Sequence, residues 1–389
     1  MKTKKSIKAF IAIALCLFMT TGLFAQHSAR HTSTIPTPVP VEEDEGPKIQ
    51  LAILLDASNS MDGLIDQAKS RLWNIVNTLT SLKFQGQEPH IEIALYKYGN
   101  DGLKQEEHYV KQLVAFTTDL DLISEKLFGV TTYGGLEYCG AVIDHSIKNL
   151  KWSKNKNSMK LIYIAGNEPF SQGTINYIEA ISGAKSKDVF VNTIYCGNCE
   201  YGVQELWKDG ADKGDGKYFC INSDEKVRYI VTPYDDDLIR CNEKLNSTYI
   251  YYGSYGEYGY ANQAVQDQNA QQMSGANYAE RAVAKSKSVY NNAAWDLVDM
   301  HQSDPEYYKT VDKKTLPEQY QKMTDAQLKA EIEKNQKERS KIQLEIAELS
   351  QKRQSYIDVK MKEEGVQDDF GAAVNSSILE LAKAKGYEM

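Results

Sequence analysis

No apolar segment after the first 25 residues is long enough to cross a bilayer, so we expect no membrane span in the mature chain. The sequence also lacks a glycine-rich loop of the phosphate-binding type. Its six histidines are scattered, and none can be paired by spacing with a serine and an acid. These absences leave catalysis without positive support, and we expect a protein that is not an enzyme.

Positive charge is in short supply, because 45 lysines and arginines face 53 aspartates and glutamates. Four of the lysines stand in the first eight residues, ahead of a mostly apolar run from Ala9 to Phe24 and the small Ala25. This order predicts a secretory signal peptide over residues 1–25, with a retained membrane anchor as the alternative. Its removal takes four lysines and no acid, so the formal charge goes from −8 to −12. We therefore expect an exported protein, periplasmic or extracellular and at the cell surface, that does not bind nucleic acid.

Cysteine is sparse, and an odd number, five of the six, lies beyond the signal peptide. The Cys196-x-x-Cys199 pair stands between a predicted strand and a predicted helix, which is the local setting of a thioredoxin-type redox pair. In an oxidising compartment we favour a structural disulfide instead, either Cys196–Cys199 or a bond to Cys139 or Cys220. A four-cysteine zinc site would need a second close pair, which Cys220 and Cys241 do not form.

The stretch Ile49–Ser60 is the most informative part of the sequence. Its apolar start, Ile49 to Leu55, predicts a strand that is buried on both faces, as in a parallel sheet. The run ends at Asp56, hydroxyls follow at Ser58 and Ser60, and apolar residues then return at helical spacing. Asp56 therefore stands at the carboxyl end of a strand, where open α/β sheets bind ligands. The simpler alternative is that the two serines cap the next helix.

Strand and helix patterns alternate from Lys48 to about Asn222 and predict an α/β fold with a doubly wound, mostly parallel sheet. The segment from Tyr109 to Phe116 is expected as a short antiparallel strand at the sheet edge. The other predicted strands are 49–55, 90–98, 159–165, 189–195 and 217–221, and the predicted helices are 64–82, 119–128, 136–150, 171–185 and 200–209.

The Asp56-x-Ser58-x-Ser60 loop, set between a buried strand and an amphipathic helix, resembles the metal-ion-dependent adhesion site (MIDAS) of von Willebrand factor type A domains. The order of strands and helices extends this resemblance over about 175 residues. In that family two hydroxyls and few carboxylates hold a divalent cation, and a carboxylate of the partner protein completes its coordination. The resemblance implies protein binding through a divalent cation, with Mg²⁺ favoured and Ca²⁺ or Mn²⁺ as alternatives.

Two further loops belong to the same edge of the predicted sheet. By position, the loop that starts at Thr131 matches the family's second metal loop, where a threonine hydroxyl approaches the ion; we choose Thr132, with Thr131 second. The third loop departs from the family, because Gly166 and Asn167 stand where its strand usually ends in an aspartate. Glu168 is the nearest acid and the candidate substitute. Loss of the carboxylate weakens the attraction for a cation, so a degenerate site is the alternative.

The rest of the sequence divides by composition. We predict a flexible linker over 26–47, a helical extension and a Tyr/Gly-rich segment over 223–262, a partly helical Ala/Gln/Asn-rich region over 263–315, a long helix or coiled coil over 316–364 and an amphipathic helix over 365–389. Within the second and third of these segments we expect helices over 224–246 and 279–300. Six tyrosines lie between Tyr249 and Tyr260. They predict either an aromatic binding surface or, as we favour, an irregular strand or linker packed on the domain.

A heptad pattern runs along the predicted long helix, and we call its residues the seam. The seam comprises Leu328, Ile332, Asn335, Arg339, Ile342, Ile346, Leu349, Arg353 and Tyr356. It predicts either a homo-oligomer formed through a coiled coil over residues 328–356 or a helix folded back on its own domain.

The functional hypothesis combines the loops and the leader. We expect an exported type A domain protein that binds a carboxylate-bearing protein partner through a cation held by Asp56, Ser58, Ser60, Thr132 and Glu168. The alternative is a structural or scaffolding envelope protein that is assembled by its coiled coil and has a degenerate metal site. A hydrolase or redox enzyme is the third hypothesis.

Overall fold

The computed structural model describes residues 46–222, 227–364 and 370–389. The predicted signal peptide and nearly all of the predicted 26–47 linker lie outside these residues. The strands are β1 (Lys48–Asp56), β2 (Lys83–Phe84), β3 (His90–Tyr98), β4 (Val110–Thr117), β5 (Met159–Gly166), β6 (Phe190–Cys196), β7 (Asp215–Ile221) and β8 (Tyr387–Glu388). None of the described helices is both long and apolar enough to span a bilayer.

The helices fall into three groups along the chain. Those between the strands of the main sheet are α1 (Asp62–Leu79), α2 (Leu120–Phe128), α3 (Cys139–Asn149), α4 (Tyr177–Ser186), α5 (Cys199–Gln204) and α6 (Trp207–Lys213). The following group is α7 (Asp235–Asn246), α8 (Gly256–Met273), α9 (Gly275–Lys285), α10 (Leu297–Ser303), α11 (Glu318–Gln321) and α12 (Asp325–Glu364). The last helix is α13 (Phe370–Ala384).

The main sheet has six strands in the order β4-β3-β1-β5-β6-β7. Every neighbouring pair is parallel except β3 and β4, which confirms the predicted α/β fold and its antiparallel edge strand. The chain winds outward in both directions from β1, because β3 lies on one side of it and β5 on the other. Such a reversal opens a crevice at the carboxyl ends of the strands, and Asp56 is the last residue of β1.

Helices cover both faces of the sheet, and the central strand supplies a core to each. Leu51 and Ile53 belong to one cluster of buried side chains, which they share with helix α1. Ala52 and Leu54 point the other way, into the cluster built on α3 and α4. This double burial explains why β1 is apolar without alternation.

The C-terminal segment completes the first of these two faces. Helix α13 packs against α1, β5 and β7. The Ser377 hydroxyl donates to Asn192 Oδ1 at 2.9 Å, and the Tyr163 hydroxyl of β5 donates to the Val374 carbonyl at 3.4 Å. Strand β8 then pairs with β2. The segment predicted as a separate amphipathic helix over 365–389 is therefore part of the sheet domain, although about 150 residues separate it from β7.

The seam of α12 faces the chain's own helices. Leu328 and Ile332 are fully buried. The Arg339 guanidinium lies 2.7 Å from Asp296 and 2.6 Å from Asp299, both of which are buried in or beside α10. The prediction of a homo-oligomer through residues 328–356 is therefore wrong for this seam, and the alternative of a helix folded back on its own domain is correct. Heptad spacing alone does not distinguish a partner chain from the same chain.

Two other boundaries differ from the predictions. The helix expected over 224–246 begins only at Asp235, whose carboxylate accepts bonds from the Thr232 amide and hydroxyl at 2.9 and 2.8 Å and so fixes its start. Residues 224–226 lie outside the described residues. The helix expected over 279–300 is divided between α9 and α10, and residues 286–296 are not helical.

The Tyr/Gly-rich segment is packed on the domain, as we favoured, but its second half is helix α8 rather than a strand or linker. Tyr249 and Tyr252 are buried, whereas Tyr258 is half exposed. A Cβ atom on Gly259 would lie 2.7 Å from the Trp295 ring. The glycine therefore serves the close approach of α8 to that ring, which composition alone did not indicate.

Replacement of Ile378 by alanine tests whether α13 belongs to the sheet domain. Ile378 is fully buried in the cluster shared with α1, so Ile378→Ala should lower the free energy of unfolding by about 2–5 kcal/mol. Urea denaturation measures this change. The matched control is Leu344→Ala on α12, where the side chain is 70% exposed and the change should stay within about 0.5 kcal/mol. A similarly small change for Ile378→Ala would contradict the assignment.

Candidate metal centre

The loop after β1 places one carboxylate and two hydroxyls at the carboxyl edge of the sheet. Asp56 is fully buried, and its Oδ1 accepts a 2.8 Å bond from the Ser58 amide. Within the described residues its Oδ2 has no hydrogen-bond partner. The hydroxyl oxygens of Ser58 and Ser60 lie 3.2 Å apart. No side-chain capping bond starts α1 or the short turn before it, so the capping alternative is wrong.

The second loop is held against the first by its backbone. The Tyr133 amide donates to the Ala57 carbonyl at 2.9 Å, and the Asn59 amide donates to the Gly134 carbonyl at 3.0 Å. These bonds place Thr132 on the same edge, with its hydroxyl donating to the Asp62 carboxylate. Thr132 is therefore near the serine loop, but it is bonded to Asp62 rather than to either serine.

The third loop shows why this chain has no aspartate at the end of β5. A Cβ atom on Gly166 would lie 2.6 Å from the Tyr98 hydroxyl and 3.1 Å from Asp56 Oδ2. The Tyr98 hydroxyl is fixed there by a 3.0 Å bond to the Ala165 carbonyl. Asn167, the next residue, donates to the Ser60 hydroxyl at 3.3 Å. The Asn167 side-chain amide thus contacts the serine loop from the place where the type A family usually has a carboxylate.

Glu168 lies near the centre, but its side chain takes no part in the hydrogen bonds described above. Its main-chain carbonyl accepts a 2.8 Å bond from the Trp207 ring nitrogen, which anchors the loop to α6. Its negative charge is close enough to raise the pKa of both Asp56 and Glu137.

Glu137 is the site residue that the sequence analysis missed. Its side chain is buried, with the residue 2% exposed, and within the described part of the chain its Oε2 has no partner. A Cβ atom on Gly99 would lie 2.6 Å from Glu137 Cγ and 2.8 Å from Asp56 Oδ1, so the two acidic side chains flank the same point. The helix predicted over 136–150 includes residue 137, but α3 begins only at Cys139, so Glu137 lies in the preceding loop. An acid at the end of a loop on this edge was the available signal.

The two buried carboxyls of the centre, Asp56 and Glu137, both have a raised pKa. Burial, followed by repulsion from Glu137 and Glu168, raises the pKa of the Asp56 carboxyl to about 8, against the opposing bond from the Ser58 amide. Burial and then the charge of Glu168 raise the pKa of Glu137 to about 7. A cation between these groups would stabilise their ionised forms.

The donor set suits a hard cation. Carboxylate, hydroxyl and amide oxygens are the ligands of Mg²⁺, Ca²⁺ and Mn²⁺. Among the described residues, no three Asp, Glu, His or Cys side chains form a metal-binding group by themselves. A cation at this edge would therefore depend on the hydroxyls of Ser58 and Ser60 in addition to the carboxylates.

The disulfide at this end of the sheet is Cys199–Cys220, with Cα atoms 5.3 Å apart. It joins the start of α5 to β7. Cys196 is a buried free thiol at the end of β6. The predicted Cys196–Cys199 pair is therefore wrong, the alternative of a bond to Cys220 is confirmed for Cys199, and a thioredoxin-type pair is not formed. Parallel pairing of β6 with β7 sets Cys220 beside the β6 end, which spacing along the chain does not indicate.

The sheet order confirms the predicted fold class, a doubly wound, mostly parallel sheet of the von Willebrand factor type A kind, with the hydroxyl-bearing loop at its carboxyl edge. A similar solved structure is that of an aerotolerance-related membrane protein from Bacteroides fragilis, with 16% identity and a TM-score of 0.30 over 45% of this chain and 92% of that one. A von Willebrand factor type A structure from Catenulispora acidiphila has 13% identity and a TM-score of 0.34 over 46% and 39% of the two chains.

Proximal thread matrix protein 1 from the mussel byssus, in a structure with a zinc-occupied MIDAS motif, has 12% identity and a TM-score of 0.33 over 46% of this chain and 42% of that one. No protein-family model and no curated protein matches the sequence. These similarities concern the fold, so the function rests on the chemistry of the site itself.

The raised pKa of Asp56 predicts a pH dependence of stability in metal-free protein. The unfolded chain ionises this carboxyl near pH 4, whereas the folded chain retains the proton until about pH 8. Between these values the unfolded state binds fewer protons, so this group makes the free energy of unfolding fall as pH rises. Urea midpoints in EDTA from pH 5 to 8 should fall less steeply for Asp56→Asn than for wild type. Equal slopes for the two proteins would contradict the assignment, and exposed Asp101→Asn is the control.

Proposed function

We propose that this chain is an exported binding protein that engages a protein partner through a divalent cation at the carboxyl edge of its sheet. Asp56, Ser58 and Ser60 would hold the ion, with Thr132 and Glu168 as further donors from the neighbouring loops. Mg²⁺ is the favoured ion, and Ca²⁺ and Mn²⁺ are the alternatives. A basic start followed by an apolar run supports export to the periplasm or the cell surface.

The observation that carries the proposal is the unpaired Oδ2 of Asp56. A buried carboxylate oxygen without a partner is costly, and here it stands at the strand end from which the loop with the Ser58 and Ser60 hydroxyls begins, on the edge where α/β sheets bind ligands. A cation would satisfy that oxygen and both hydroxyls at once. Thr132 would have to turn its hydroxyl from Asp62 to join them.

When bound, the ion supplies a Lewis-acidic centre that an oxygen ligand of a partner can complete. The resemblance to the type A family makes a carboxylate the favoured partner group. The chain itself would hold the ion where a partner can reach it, because Ser60 is exposed at the edge whereas Asp56 and Ser58 are buried below it.

Exposed apolar side chains flank the centre and would add contact area for a partner. Tyr133 is 61% exposed and Leu136 38% exposed on the second loop. On the other side Tyr201 of α5 is 61% exposed, on the helix that the Cys199–Cys220 disulfide joins to β7. Aromatic residues are enriched in protein interfaces relative to the rest of the surface.

The scaffolding alternative has less support. It depended on a coiled coil formed through the seam, and that surface is buried in the chain's own helices. The enzymatic hypotheses gain nothing from the disulfide, which is not a Cys-x-x-Cys pair.

A capture experiment with native envelope extract tests the function. Immobilised wild type should retain a specific set of proteins in Mg²⁺ and release it in EDTA, because the ion bridges the two surfaces. Asp56→Ala should retain none of this set, and extract whose carboxylates have been amidated should yield none of it to wild type.

The control is Asp101→Asn, which removes an exposed charge near the edge and should capture as wild type does. Thermal unfolding confirms that each variant is folded. Retention that is indifferent to chelator and to Asp56→Ala would contradict cation-dependent binding.

A further inference from the structure

We infer that Glu137 is a direct ligand of the cation at this centre and supplies the second carboxylate that the loop after β5 does not provide. This inference rests on the proposed function, because it concerns the same ion. It assigns Glu137 a role that the resemblance did not indicate.

The first argument is the burial of an unsatisfied group. Glu137 is 2% exposed, and among the described residues its Oε2 has no partner. The main-chain amide of Glu137 donates to Gln172 Oε1 at 2.8 Å, so the backbone is held in place while Oε2 of the carboxylate has no partner among the described residues. The ionised form of a group in this position would be stabilised by a cation, and no lysine or arginine is bonded to it in the described part of the chain.

The second argument is the shared position of the two carboxylates. Gly99 has a φ of +72°, and the space where its side chain would lie is filled by Glu137 Cγ and Asp56 Oδ1. Both acids therefore meet over one backbone atom at the carboxyl ends of β1 and β3. The Ser58 side chain hydrogen-bonds toward both carboxyls and so joins them to the hydroxyl loop.

The third argument is the closed space at the end of β5. The Tyr98 hydroxyl lies 2.6 Å from where a Cβ atom of residue 166 would be, so a carboxylate cannot enter from that strand without displacing it. Glu137 reaches the centre from the loop before α3, through the space that Gly99 leaves open because it has no side chain. The Tyr98 hydroxyl thus fills the space that a side chain at residue 166 would need, and Glu137 provides a carboxylate from a different loop.

The consequence is that the chain can neutralise a divalent ion on its own. Two ligand carboxylates, Asp56 and Glu137, match the charge of Mg²⁺ or Mn²⁺. Such a site should bind the ion without a partner, whereas a single carboxylate would leave it with excess charge.

Calorimetric titration of the full chain with MnCl₂ tests the assignment. Wild type should bind one Mn²⁺, and Glu137→Gln should bind it at least about tenfold more weakly, because the amide keeps the shape but loses the charge. The matched control, Asp101→Asn, makes the same change of charge on an exposed acid near the same loop and should stay within about twofold of wild type. Glu137→Ala serves as a second variant, and circular dichroism verifies the fold of each.

The outcomes separate this inference from the proposed function. Wild-type affinity in both Glu137 variants, with binding lost in Asp56→Ala, would overturn the role of Glu137 and leave the cation site in place. Equal weakening by Glu137→Gln and Asp101→Asn would show an effect of charge at a distance and would also overturn it. No Mn²⁺ binding by wild type would contradict the proposed function and this inference together.

Discussion

The constraint on which the centre depends is the burial of Asp56 at the end of the central strand. One oxygen of its carboxylate accepts the Ser58 amide, and the other has no partner among the described residues. A fully buried, half-satisfied carboxylate lowers stability unless the charge is neutralised by a proton or a cation. The raised pKa of Asp56 corresponds to neutralisation by a proton. The hydroxyls of Ser58 and Ser60 on the following loop would help to hold a cation instead. Binding of a cation would therefore stabilise the domain and complete the site at once.

The sheet that holds Asp56 in place is finished by distant parts of the chain. Helix α13 covers one face of it, and the helices from α7 to α12 lie between β7 and this last helix in the sequence. Buried ion pairs fix that intervening region: Arg281 contacts Asp121 of α2 at 2.8 Å, and Arg353 of α12 contacts Asp235 at 2.8 Å. The Arg281–Asp121 pair joins the helical region to the sheet domain, and the Arg353–Asp235 pair holds α12 on α7 within that region.

Local patterns predicted the parts of the molecule that depend on local physics. The buried strand before Asp56 and the antiparallel edge strand were both readable, because the period of apolar residues reports burial directly. The seam was readable as a buried stripe, but spacing could not say which surface covers it. The same limit applies to Cys199, whose partner is set by the pairing of β6 with β7. Glu137 was missed because only the fold brings it over Gly99, beside Asp56.

The position of a bound ion is the most direct test of the central claim. Crystals grown with MnCl₂ and measured at the manganese absorption edge would show the ion by its anomalous scattering. The account predicts a peak within about 2.5 Å of the hydroxyl oxygens of Ser58 and Ser60, next to the Asp56 carboxylate. Crystals at millimolar Mn²⁺ with no peak at this edge of the sheet would contradict it.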